Sequence, residues 1–110
     1  MLIAERILKA RQEGQEADVP VRIYRPEPAE GAWGCRYEID WPDRPHAMAA
    51  KGFDAVQALI LALEMIGATL YSSSYHDSGA LVFERQGGGY GFPVPGGMRD
   101  LLEGDDAKFF

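Results

Sequence analysis

At 110 residues and a net charge of −6, the chain has room for one hydrophobic core and carries the wrong sign of charge to attract nucleic acid or an anionic membrane. Its 46% hydrophobic residues, with five Tyr, five Phe and two Trp, exclude a disordered chain. One cysteine, Cys35, gives no internal disulfide. With a start at Met1–Arg6 that lacks a signal-peptide apolar run, and no stretch long enough to span a bilayer, the sequence reads as a cytoplasmic protein.

The first predicted element is a strand over Leu2–Ala10, followed by a polar turn, Gln12–Glu16, built around Gly14. A second strand, Val19–Tyr24, puts Val19, Val21 and Ile23 on one face. Pro20 removes an amide donor there, which points to an edge or a strand end. Pro26, Pro28 and Gly31 mark a loop. The clearest alternation in the chain follows, with Trp33, Cys35, Tyr37, Ile39 and Trp41 facing one way and Arg36, Glu38 and Asp40 the other, the pattern of a half-buried strand. Pro42-Asp43-Arg44-Pro45 is a turn, and His46–Lys51 a short strand of mostly small residues.

Asp54 and Gln57 have capping-box spacing and open a helix that runs to about Ser72 or Tyr75, with Gly67 as an early stop and Gly79 ending the next turn. Ala80–Arg85 is a last strand. The Gly/Pro-rich loop 86–97 suits neither a helix nor a central strand, and an acidic tail, 98–110, frays unless Phe109 and Phe110 dock. The expected fold class is α+β: an antiparallel β-meander of four to five strands with one long helix packed across one face. Residues 1–95 form the domain. Val21, Ile23, Trp33, Tyr37, Ile39 and Trp41 are expected to meet Val56, Leu59, Leu63, Ile66 and Leu70.

Chemistry-bearing patterns are few. Tyr75-His76-Asp77-Ser78 brings a histidine, a carboxylate and a hydroxyl together, so Ser78 as nucleophile, His76 as base and Asp77 as orienter is the one hydrolase reading the chain offers. Consecutive turn residues diverge, however, and a polar helix terminus is the competing account. His46 and His76, with Asp43 or Asp77, lack the spacing of metal ligands, and Cys35 sits in the apolar row as a packed thiol. The glycines at 87–91 precede neither a Gly-Lys-Ser/Thr nor a helix, so they make no phosphate-binding loop. No metal and no cofactor is called for.

The run Cys35–Pro42, with Asp54–Leu59, Ile66-Gly67, Tyr71, Tyr75-His76 and Gly89–Pro95, resembles a family of short uncharacterised bacterial proteins grouped as a domain of unknown function. The resemblance implies a bacterial cytoplasmic domain and supplies no activity and no residue role. Strands, a Pro-containing turn and a helix opening on an acid also resemble, more loosely, small antitoxin domains paired with RNA-cleaving toxins, although the acidic, glycine-rich end here offers no DNA-binding tail.

The helix carries more apolar residues than one sheet face can cover. Ile60, Leu61, Gly67, Ala68 and Tyr71 lie off the inward stripe. Either the Gly/Pro-rich segment folds over them, in cis or in trans, or a second subunit does. The expected function is a non-enzymatic protein-binding or regulatory module acting as a homodimer, with Ile60, Leu61, Glu64 and Tyr71 as partner-binding residues. Self and another protein are the expected partners. The alternative is a small hydrolase-like enzyme using the Tyr75–Ser78 turn.

Overall fold

The computed structural model describes residues 1–110. Two Glu-Gly turns set its register. β1 (Leu2–Gln12) and β2 (Gln15–Tyr24) meet at Glu13-Gly14, and β3 (Glu27–Ala29) meets β4 (Ala32–Asp40) at Glu30-Gly31. All four turn residues have positive φ, from 46° to 79°, the geometry of two-residue hairpin turns whose twist matches that of the flanking strands. β5 (Pro45–Gly52) runs back along one edge of β4. The other edge is shared by β2, opposite residues 37–39, and β3, opposite 32–34. β6 (Leu81–Val82) closes on the free edge of β1. The sheet is antiparallel throughout, and α1 (Ala55–Tyr71) packs against it, as the expected α+β class requires. Pro20 lies one residue before the β2–β4 pairing begins at Val21, so no partner strand asks for its missing amide.

The two faces of the sheet differ in chemistry. On the outer face Arg22 lies between Glu5 (2.9 Å) and Asp40 (2.7 Å), Arg11 pairs Glu16 (2.7 Å), and Lys9 pairs Asp18. Such exposed pairs add little stability but keep that face solvated. The inner face buries Leu8, Val19, Val21, Ile23, Cys35, Tyr37, Ile39 and Ala50.

Asp54 caps α1 by accepting from the Gln57 amide at 2.8 Å, and Gln57 reaches back to the Phe53 amide at 2.7 Å. The helix face that meets the sheet differs from the expected stripe. Ala58, Ala62, Ile66 and Leu70 form the buried row, whereas Leu59 and Leu63 are half-buried and Val56 is 66% exposed. The cause is close approach. A side chain at Gly52 would stand 2.5 Å from the Ala58 amide, so the start of the helix lies almost on β5 and only alanines fit beneath it. The flanking row turns outward. Trp33 and Trp41, at the ends of β4, are half-buried rather than central.

α1 ends at Tyr71 with Ser72 as its cap, and the turn expected before Gly79 is α2 (Ser74–Asp77), with Ser73 capping the His76 amide at 3.1 Å. Two other expectations change. Residues 26–31, expected as a loop, carry the short strand β3, which pairs with β4. The last strand is only Leu81–Val82, because Glu84 takes φ of 62° and bends the chain out of the sheet.

Residues 87–95 do not project. Tyr90, Phe92 and Val94 are buried alongside α1, completing the cover of the inner face in cis. A 3₁₀ segment, Gly96–Leu101, and α3 (Asp105–Phe109) then bring the chain end back onto the loop at Gly87–Gly91. No helix is long and apolar enough to cross a membrane.

Candidate functional site

Five side chains from four segments converge where the chain end meets α1. Tyr71 closes α1, His76 sits in α2, Tyr90 in the glycine loop, and Glu103 and Asp106 in the tail. Asp106 is 1% exposed and is the charged member of the buried set. Its carboxylate accepts from the Tyr71 hydroxyl (2.6 Å), the Tyr90 amide (2.8 Å) and the Gly91 amide (2.8 Å). The Glu103 amide donates to the Tyr71 oxygen at 3.3 Å. His76 bridges the other half: Nδ1 meets the Tyr90 hydroxyl, and Nε2 lies 2.8 Å from Glu103 Oε2. One assignment of protons satisfies every atom. Tyr90 donates to Nδ1 and Nε2–H donates to Glu103. The His76 ring also packs edge-on against both tyrosines, at 4.9 and 5.5 Å between centroids.

The glycines make this possible. Gly89 has φ of 85°, and a side chain there would stand 2.6 Å from the Asp106 carboxyl carbon, so glycine leaves the room the carboxylate fills. Arg6 of β1 holds the loop from the opposite side, donating to the Tyr90 carbonyl (3.0 Å) and the Gly91 carbonyl (2.8 Å) while its guanidinium lies over Phe83 and Phe92.

Electrostatics keep the phenols neutral. Burial, reinforced by the hydrogen bond to Asp106, raises the Tyr71 pKa well above its ordinary 10.0. Burial and the nearby Glu103 and Asp106 charges do the same for Tyr90. Both therefore serve as donors at neutral pH, and neither is an activated nucleophile or base. The folded pKa values lie above the unfolded ones. Their contribution to stability is thus complete below pH 10.0 and is lost as pH rises beyond it. In an alkaline titration, the phenolate absorbance of Tyr71 and Tyr90 should appear only together with loss of the near-ultraviolet circular dichroism. Smooth ionisation of every tyrosine near the ordinary value, with the fold intact, would refute the buried arrangement.

The sequence candidates are distributed differently. Ser78 Oγ donates to the Tyr75 carbonyl at 3.3 Å, and Asp77 is exposed, so neither reaches the His76 ring and the consecutive triad is not assembled. Tyr75 stacks on Trp41 with ring planes 6° apart and donates to Asp43 at 2.9 Å, forming one wall of an open cleft of about 630 Å³ between the β4–β5 turn and the end of α1. His46, on the same cleft, lies 3.3 Å from the Tyr37 hydroxyl, and no three His, Cys, Asp or Glu side chains gather as metal donors. Cys35 is fully buried and donates to the Tyr24 carbonyl at 3.3 Å, with burial pushing its thiol pKa up. Of the partner-binding set, Ile60 is exposed and Leu61 and Glu64 are half-buried. Tyr71 is buried, because the glycine loop and Asp106 cover it.

Glu103, Asp106 and Tyr90 escape a reading of the sequence alone. Glu103-Gly104-Asp105-Asp106 has the composition of a solvated tail, and nothing local marks one of its acids as buried. The only available signal is the alternation Gly89-Tyr90-Gly91, which frees two consecutive amides for an anion.

Neither the curated proteins nor the solved structures contain a match to this chain. A family model does match, over residues 4–94, a span that takes in the six strands, α1, α2 and the glycine loop but stops short of Glu103 and Asp106. The chain belongs to that family, described as "Domain of unknown function (DUF6968)".

Proposed function

We propose that this is a non-enzymatic protein-binding module of the bacterial cytoplasm that acts as a homodimer through the outward face of α1. The observation that carries the reading is a continuous apolar seam. Ile60 and Gly67 are seven residues apart and share a helix face with Val56 and the half-buried Leu63. At the Gly67 end, residues 92–94 cover the seam in cis: a side chain at Gly67 would stand 1.8 Å from the Pro93 carbonyl oxygen. Toward the helix start the same seam is open, with Val56 66% and Ile60 49% exposed and Phe53 beside them at 77%.

Charge favours self-association here over any other face. Two copies at −6 each repel, yet Glu64 is the only ionisable acid or base on the whole of α1 before Tyr71, so paired helices bring little like charge together. A twofold contact centred on Ile60 also lets each copy supply the apolar surface the other lacks. The unpaired Cys35 thiol suits a reducing compartment.

Light scattering tests the reading. The wild type should have twice the 12.1 kDa chain mass, and Ile60→Asp should be a monomer with unchanged helical circular dichroism. A wild type that stays monomeric at high concentration overturns the dimer. A folded Ile60→Asp variant that remains dimeric moves the interface off this seam.

A further inference from the structure

The pocket that holds Glu103 and Asp106 is built entirely from residues 71–91, and it is built for carboxylates. Three donors converge on Asp106, His76 faces Glu103, and Arg85 lies 3.2 Å from Asp105. The Asp105 amide also donates to the Gly88 carbonyl at 3.1 Å, fixing the acidic segment by its backbone. The fit is close. About 10 Å³ remains beside Glu103, room for one water at most. Selection extends to the residue between them, since a side chain at Gly104 would stand 2.4 Å from the Gly88 carbonyl carbon and 2.6 Å from the Gly87 oxygen.

What holds the tail in this pocket is local. The 3₁₀ segment 96–101 contains no fully buried residue, Met98 and Leu102 are half-buried against the core, α3 buries only Asp106, and Phe109 and Phe110 remain exposed. A segment attached through polar contacts and two half-buried apolar side chains opens without the rest of the domain unfolding.

We propose that residues 71–91 form a recognition pocket for an acidic peptide of the pattern Glu-Gly-Asp-Asp, and that this chain's residues 103–106 occupy it reversibly as a ligand in cis. A peptide supplied in trans competes for the same donors. The pocket is separate from the α1 seam of the homodimer and does not depend on it.

The test uses the full chain and a fluorescent peptide of residues 96–110. Gly104→Ala cannot seat its own tail but keeps every group of the pocket. By anisotropy it should bind the peptide about tenfold or more tighter than wild type, whose own tail lowers the fraction of open pocket. The same peptide carrying Asp106→Asn should lose about tenfold of that affinity. If Gly104→Ala does not fold by circular dichroism, Glu103→Gln, which removes only the half-exposed partner of His76, takes its place with the same expectation in direction. No binding to the folded variant, or binding indifferent to Asp106→Asn in the peptide, overturns the proposal.

Discussion

Replacing Gly67 with valine is expected to remove about 3 kcal/mol or more of folding stability, at the upper end of what overpacking costs. The added carbon would meet the Pro93 carbonyl oxygen at 1.8 Å and the Pro93 carbonyl carbon at 2.9 Å, both backbone atoms that no rotamer change can move. Residues 92–94 must then leave the helix. Phe92, Val94 and the adjoining Tyr90 lose their buried contacts with them. On a domain of this size that loss lowers the melting temperature by roughly 12–24 °C. Gly96→Ala, where an added carbon meets nothing within 4 Å, is the control and should melt like the wild type. A Gly67→Val variant that also melts like the wild type would place the Gly/Pro segment somewhere other than on α1.

The same contact shows which parts of this fold the sequence makes legible. Period-two alternation over 33–41 and the Asp54/Gln57 cap report local physics, and the structure has both where the pattern puts them. Gly67 has two local meanings, a helix stop or a place of close approach. Only the neighbouring Pro93 decides between them. The helix stripe fails for a related reason. Hydrophobic size suggests Val56, Leu59 and Leu63 as the inward row, but the spacing to β5, set by Gly52 and Ala58, admits only alanine there. The polar network is the least legible. Its donors are backbone amides and hydroxyls, which every sequence contains, and its acid is separated from Tyr71 by 35 positions. Without docking of Phe109 and Phe110 the tail is expected to fray, yet both phenylalanines are exposed and the tail is held by a buried carboxylate instead.

Asp106→Ala should cost about 3 kcal/mol, less than the sum for a carboxylate accepting three hydrogen bonds. Two outcomes compete. If the tail stayed in place, the Tyr71 hydroxyl and the Tyr90 and Gly91 amides would be buried without the acceptor they now share. Each would then cost about 1–3 kcal/mol. If the tail instead leaves, water reaches those groups and the loss is limited to the free energy of docking the tail. The cheaper outcome sets the result, so the variant should expose residues 96–110 rather than unfold. About 3 kcal/mol corresponds to an open population near 1% in the wild type, small enough for a closed ground state and large enough for exchange with a peptide. Asp106→Asn keeps one acceptor oxygen but turns amide hydrogens toward backbone N–H groups, and should lose an amount between wild type and alanine. Limited proteolysis after Arg99 reads the opening directly, with cleavage expected to accelerate by about a hundredfold in Asp106→Ala. Wild-type protease resistance together with a wild-type melting temperature in that variant would mean that the carboxylate does not hold the tail.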